Sequence, residues 1–134
     1  MMGKVVQSEG YRLEFEQQGV RLRVRVIGGN DTGLAVSSEY WLLIADEVRA
    51  RAARELLVLD AMAGEVMTPE DLERFFDAIS GRGLEQVRLA YVEGRADQFA
   101  RVEYAELMAR ERGYDIRMFN SEADAEIWLR HGMR

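Results

Sequence analysis

Carboxylates are the side chains best placed for chemistry in this sequence. Asp60 and Glu93 each close an apolar run, Leu56-Leu57-Val58-Leu59 and Val87-Arg88-Leu89-Ala90-Tyr91-Val92. In an open α/β sheet the carboxyl ends of the strands are where ligands sit. Those ends offer Asp60, Met62 and Glu65, then Glu93, Gly94 and Arg95, then Asn120 and Ser121. Asp60 and Glu93 could work as a carboxylate pair in acid–base chemistry. No nucleophile, metal-ligand set or oxyanion signature accompanies them, so the expectation is that Asp60 caps loop amides and Glu93 pairs with Arg95. There is no cysteine, and the one histidine, His131, stands three residues from the end. Thiolate chemistry, cysteine-held metals and disulfides are excluded, and neither a metal site nor a cofactor is expected.

A second candidate is Glu103. The pattern over 97–112 predicts a helix with Phe99, Ala100, Tyr104 and Leu107 on its apolar side, and Glu103 falls inside that stripe. A carboxylate there is costly unless paired or exposed. It is either an anchor in a cavity or a residue at the stripe's edge paired with Arg95 or Arg110. Tyr91, Tyr104 and Tyr114 are candidates to line a pocket or to sit at the rim of the core. Met62, Val66 and Met67 make an apolar loop that could accept a ligand tail or fold over its own core.

The elements that must position these residues are legible from periodicity. Over 11–27, Tyr11, Leu13 and Phe15 alternate with charged residues, as do Leu22, Val24 and Val26. That period of two predicts a hairpin with one wet face. A turn at Gln18-Gly19 would pair Phe15 with Leu22, Leu13 with Val24, Glu16 with Arg21 and Glu14 with Arg23. The arginine stripe then reads as a sheet face neutralised by its neighbour strand rather than as an anion site. Gly28-Gly29-Asn30-Asp31-Thr32-Gly33 carries no phosphate-loop signature and reads as a flexible connection. A helix over 38–53, capped by Ser37 or Ser38, would bury Trp41, Ile44, Ala45, Val48 and Ala52. The run 56–60 predicts a central strand covered on both faces. Thr68-Pro69-Glu70-Asp71 opens the next helix, with Thr68 as cap and Pro69 in its first turn, and Leu72, Phe75, Phe76 and Ile79 form its buried stripe. A strand at 87–92, the helix at 97–112, a strand at 115–119 and a helix burying Ala125, Trp128 and Leu129 complete the chain. The fold class is therefore α/β, a single mixed sheet of about five strands in the order ββαβαβαβα, one domain over 1–134 with 1–9 a loose segment.

The chain has 134 residues, 18 basic against 24 acidic side chains, a net charge of −6, and one lysine, Lys4. Phosphate backbones are bound by Lys and Arg, so no nucleic-acid partner is expected. No stretch reads as a secretory signal or spans a bilayer. A cytoplasmic protein without membrane insertion is the expectation, with a homodimer possible through an exposed edge strand.

The stretch from Leu57 to Leu72, which runs Leu-Val-Leu-Asp-Ala-Met-Ala-Gly-Glu-Val-Met-Thr-Pro-Glu-Asp-Leu, resembles without gaps the segment of the bacterial STAS domain that leads from a strand to the helix of its phosphorylation site. The ending Phe119-x-Ser121-x-x-x-Ala125-x-x-Trp128-Leu129 is similar to that of the SpoIIAA-like branch, itself compared with the lipid-binding Sec14 fold. The resemblance implies a non-enzymatic regulatory module of the anti-sigma-factor antagonist kind, with Met62, Glu65, Val66, Thr68, Glu70, Glu93 and Arg95 on the partner surface. Its alternative is a carrier of a small apolar ligand, with Asp60, Met62, Tyr91, Phe99, Glu103 and Leu107 around the pocket. The family's Asp-Ser-Ser-Gly is replaced here by Thr68-Pro69-Glu70-Asp71, so the phosphoserine switch does not carry over, and the region is expected to be constitutively acidic.

Overall fold

The computed structural model describes residues 3–29, 31 and 33–131. Asn30 and Thr32 of the glycine-rich loop lie outside the described residues. Six strands form one sheet in chain order: β1 (Gly3–Gln7), β2 (Arg12–Gln18), β3 (Arg21–Ile27), β4 (Glu55–Asp60), β5 (Arg88–Glu93) and β6 (Asp115–Phe119). β1, β2 and β3 are an antiparallel meander, and β3 to β6 run parallel. The parallel strands are joined by α1 (Leu34–Ala50), α2 (Pro69–Ile79) and α3 (Phe99–Glu111), and α4 (Glu122–His131) follows β6.

This layout follows from chirality. Parallel crossovers are almost always right-handed, and three of them stepping the same way across a sheet put their helices on one face. Residues of α1, α2 and α3 share a core with Leu56, Val58, Leu89 and Ile116, which alternate along their strands. The other face of β4 and β5 presents Leu57, Ala90 and Val92 to Ala125, Trp128 and Leu129 of α4. Leu56, Leu57 and Val58 are all fully buried, as an unbroken apolar run requires. Arg88 lies over the Trp128 ring at 4.1 Å, a cation–π contact that seals the edge of this second layer.

Four expectations need correction. Residues 3–7 are not loose: they pair with β2, with Val6 opposite Leu13. The turn of the hairpin is Gly19-Val20, so Phe15 faces Val24, Leu13 faces Val26, Glu16 faces Arg23 and Glu14 faces Arg25. Gly19 alone of the two turn residues has positive φ, +66°, as a turn with glycine first demands. A slip of two residues leaves every side chain on its expected face, so alternation cannot detect it. The first helix begins at Leu34 and ends at Ala50, which puts Ser37 inside it and leaves Ala52 in a turn with φ +52°.

The fourth correction matters most. The buried face of α3 is Val102, Ala105 and Ala109. Tyr104 is 46% exposed and Leu107 62% exposed, and Glu103 is exposed beside them. Two stripes compete on this helix, and the one that carries the small residues Val102, Ala105 and Ala109 faces the sheet.

The arginine stripe is neutralised from several elements. Arg21 pairs with Glu55 at 3.0 Å, Arg25 with Glu14 at 3.4 Å, and Arg23 with Glu122 of α4 at 2.9 Å. Leu129, 1% exposed, anchors α4, whereas Ile127 of the same helix is 50% exposed. Leu129→Ala is therefore expected to destabilise the protein by about 2–5 kcal/mol in urea unfolding, and Ile127→Ala to stay within about 0.5 kcal/mol of wild type. Equal losses would mean that α4 does not hold the second face.

Candidate functional site

The space between the sheet and its three helices is not filled. A cavity lies beneath α1, α2 and α3, walled by Trp41, Leu72, Phe75, Phe76, Ile79, Leu84 and Leu89 and roofed by Val102, Ala105 and Ala109. It leaves about 90 Å³ to the centre of a water molecule, where one water needs roughly 10–15 Å³ on that measure. Its origin is the alanine face of α3. Large side chains there would fill the gap, but the large ones, Tyr104 and Leu107, point outward.

The cavity is apolar along its length and polar at the carboxyl end of the sheet. Asp60 and Glu93 are register partners on β4 and β5, so both residues lie on the helix side, their backbones about one strand spacing apart. Each holds the loop that follows it. Asp60 Oδ1 accepts the Met62 amide at 2.9 Å, and Glu93 Oε1 accepts the Arg95 amide at 2.9 Å. The Tyr91 hydroxyl donates to Asp60 Oδ2, and Tyr40 exchanges a hydrogen bond with Ser37 beside it. Trp41 lies nearly parallel to the Tyr91 ring, at 27° and 6.4 Å.

Burial shifts these groups. It pushes the Asp60 carboxyl above the usual range, against the opposing pull of the bonds from Tyr91 and Met62. It pushes Glu93 up as well, and the nearby Asp60 charge adds to the rise. Tyr40 and Tyr91 are also raised, by burial first and then by the Asp60 charge.

Loop 61–67 forms the rim, with Gly64, Glu65, Val66 and Met67 in the cavity wall. It is pinned by the segment after β5. Arg95 Nη1 donates to the carbonyls of Ala63 and Gly64 at 2.6 and 2.8 Å, the buried Gln98 accepts the Val66 amide at 2.9 Å, and Arg101 reaches the Val66 carbonyl at 3.3 Å. Gly29 fixes the other side of the loop. Its carbonyl accepts the Ala63 amide at 2.8 Å, and a Cβ there would stand 2.0 Å from the Gly10 carbonyl oxygen. The glycine-rich connection is a close contact at this point rather than a flexible link.

The residues singled out from sequence fall into three groups. Asp60 and Tyr91 line the cavity, and Glu93, Glu65 and Val66 join them there. Met62, 3% exposed, is folded into the core and offers no surface to a partner. Phe99, Glu103 and Leu107 are outside the cavity wall, because α3 is turned the other way. Thr68 and Glu70 are exposed at the start of α2, where Thr68 Oγ1 accepts the Asp71 amide at 3.3 Å. Arg95 holds the rim. The sequence reading missed Ser37, Tyr40 and the Val102/Ala105/Ala109 face. The signal available was the i, i+3, i+7 spacing of small residues, which a search for large apolar side chains passes over.

Among the described residues no cluster of three His, Asp or Glu side chains is placed to hold a metal ion, and no helix is long and apolar enough to cross a membrane. The sequence matches no family model and no curated protein.

A carboxyl raised on folding contributes stability that is complete below its unfolded value, about 3.9 for aspartate, and is lost as pH rises through the folded value. Asp60→Asn keeps an oxygen for the Met62 amide and removes this titration. The variant is expected to be more stable than wild type at neutral pH, with the two converging below the unfolded value, in thermal melts across pH. A variant less stable than wild type at neutral pH would show that the ionised carboxylate supports the fold.

Proposed function

We propose that this protein binds a small, largely apolar molecule in the cavity between its sheet and α1–α3. The observation that carries this reading is the cavity itself. Interiors are packed to the density of organic crystals, and each unfilled space costs stability. Here such a space runs up to the buried carboxylate of Glu93 and the partly buried one of Asp60, a combination that favours binding over folding. The structure supports holding rather than converting a ligand, since Asp60 and Glu93 are each engaged with a backbone amide. The Sec14-like expectation of a ligand carrier is consistent with this reading.

A second reading is an interaction module of STAS type. What favours it is that Glu65, Thr68, Pro69 and Glu70 are exposed together at the rim, forming an acidic surface without a phosphoacceptor serine.

Naphthalene, a neutral probe without a head group, tests the first reading through Trp41, which lines the cavity. Binding is expected to change its fluorescence through contact with the indole ring, and Ala105→Leu, which fills the roof, to weaken binding by about tenfold or more. Equal binding by the variant, or none by wild type, would refute the cavity as the site and leave the rim surface as the remaining role.

A further inference from the structure

We propose that the cavity takes an amphipathic molecule whose head is a cationic hydrogen-bond donor, a primary amine, and that it rejects the carboxylate of the same chain. The inference deepens the ligand-binding reading above and rests on it.

The charges in the wall are of one sign. Asp60, Glu65 and Glu93 contribute to it, and among the described residues no Lys, Arg or His does. The cation next to the loop, Arg95, is directed at the Ala63 and Gly64 carbonyls and at Asp97. A ligand carboxylate would meet the carboxylates of Asp60 and Glu93, whose shared cation Arg95 stands outside the wall, and like charges in a site of low dielectric repel strongly. An ammonium would meet acceptors. Glu93 has a second oxygen beyond the one engaged with Arg95, and Asp60, whose two oxygens take Met62 and Tyr91, keeps further lone-pair positions, since a carboxylate offers about four. Trp41 and Tyr91, whose rings lie nearly parallel, line the same wall, and aromatic faces attract cations.

An independent observation at the other end of the cavity points to a ligand. Tyr114, just before β6, lines the wall and is 6% exposed, and its hydroxyl has no hydrogen-bond partner. A buried hydroxyl left unpaired is costly. Its presence at the far end of an apolar space fits a molecule that ends there in a polar atom. Burial drives the Asp60 and Glu93 carboxyls up, and a bound ammonium would draw them back down. Amine binding is therefore expected to tighten as pH rises through the carboxylate range.

Calorimetry of the full chain with octylamine, octan-1-ol and octanoate at neutral pH separates the possibilities. Octylamine is expected to bind at least about tenfold more tightly than octanoate, with octanol between them. In the Asp60→Asn/Glu93→Gln variant the amine-to-carboxylate ratio should fall to within about threefold, while retained octanol binding shows that the cavity is intact. Octanoate binding as well as octylamine to wild type would overturn the head-group assignment and leave the cavity reading standing. So would an amine preference that survives in the double variant, since it would then arise from the acidic surface. Failure of all three probes to bind would overturn both.

Discussion

Asp60 imposes the constraint around which the rest is arranged. It ends β4, whose Leu56, Leu57 and Val58 are fully buried, and its position in the alternation places it on the helix side of the sheet. A charge there must be met by hydrogen bonds or be neutralised. The fold meets it with the Met62 amide and the Tyr91 hydroxyl, and neither brings positive charge. Glu93 repeats the arrangement one strand over, with the Arg95 amide. The two loops that follow are shaped by these bonds, and the second reaches back through Arg95, Gln98 and Arg101 to fix the first. The rim is thus built from the same two carboxylates that make the cavity's end polar.

The space behind them has a separate cause. α2 packs through large side chains, Leu72, Phe75, Phe76 and Ile79, whereas α3 meets the sheet through Val102, Ala105 and Ala109. Helices that cross one sheet at a common distance cannot both close the gap when one carries aromatic rings and the other methyl groups. On the opposite face Trp128 and Leu129 of α4 pack against the sheet, and Phe119 sits against Trp128 at 5.8 Å. The cavity on the α1–α3 side is the one that Asp60 and Glu93 line.

Much of the architecture was legible in the residues. The run 56–60 could only be an interior strand, Thr68-Pro69 could only open a helix, and the α4 stripe of Ala125, Trp128 and Leu129 pointed to a single buried face. What failed did so for identifiable reasons. A hairpin shifted by two residues keeps its alternation, so Phe15 was paired with Leu22 instead of Val24. The short strand β1 is mostly exposed at the sheet edge, and an edge strand carries little apolar signal. α3 holds two stripes, and choosing by side-chain size picks the one that faces away from the sheet. That one choice put Glu103 beside the cavity and left Ala105 out. Asp60, Tyr91 and Glu93 were visible because strand ends are few. Tyr40 and Ser37, reached only across a crossover, were not.

A ligand-binding role requires that the space under Val102, Ala105 and Ala109 exist in the folded protein and be apolar. Diffraction from crystals pressurised with xenon tests this directly, because xenon enters dry apolar cavities and scatters strongly. A xenon peak is expected among Trp41, Leu89, Val102 and Ala105, with no shift of the surrounding backbone. Side chains closed over that volume, with no peak between α3 and the sheet, would contradict it.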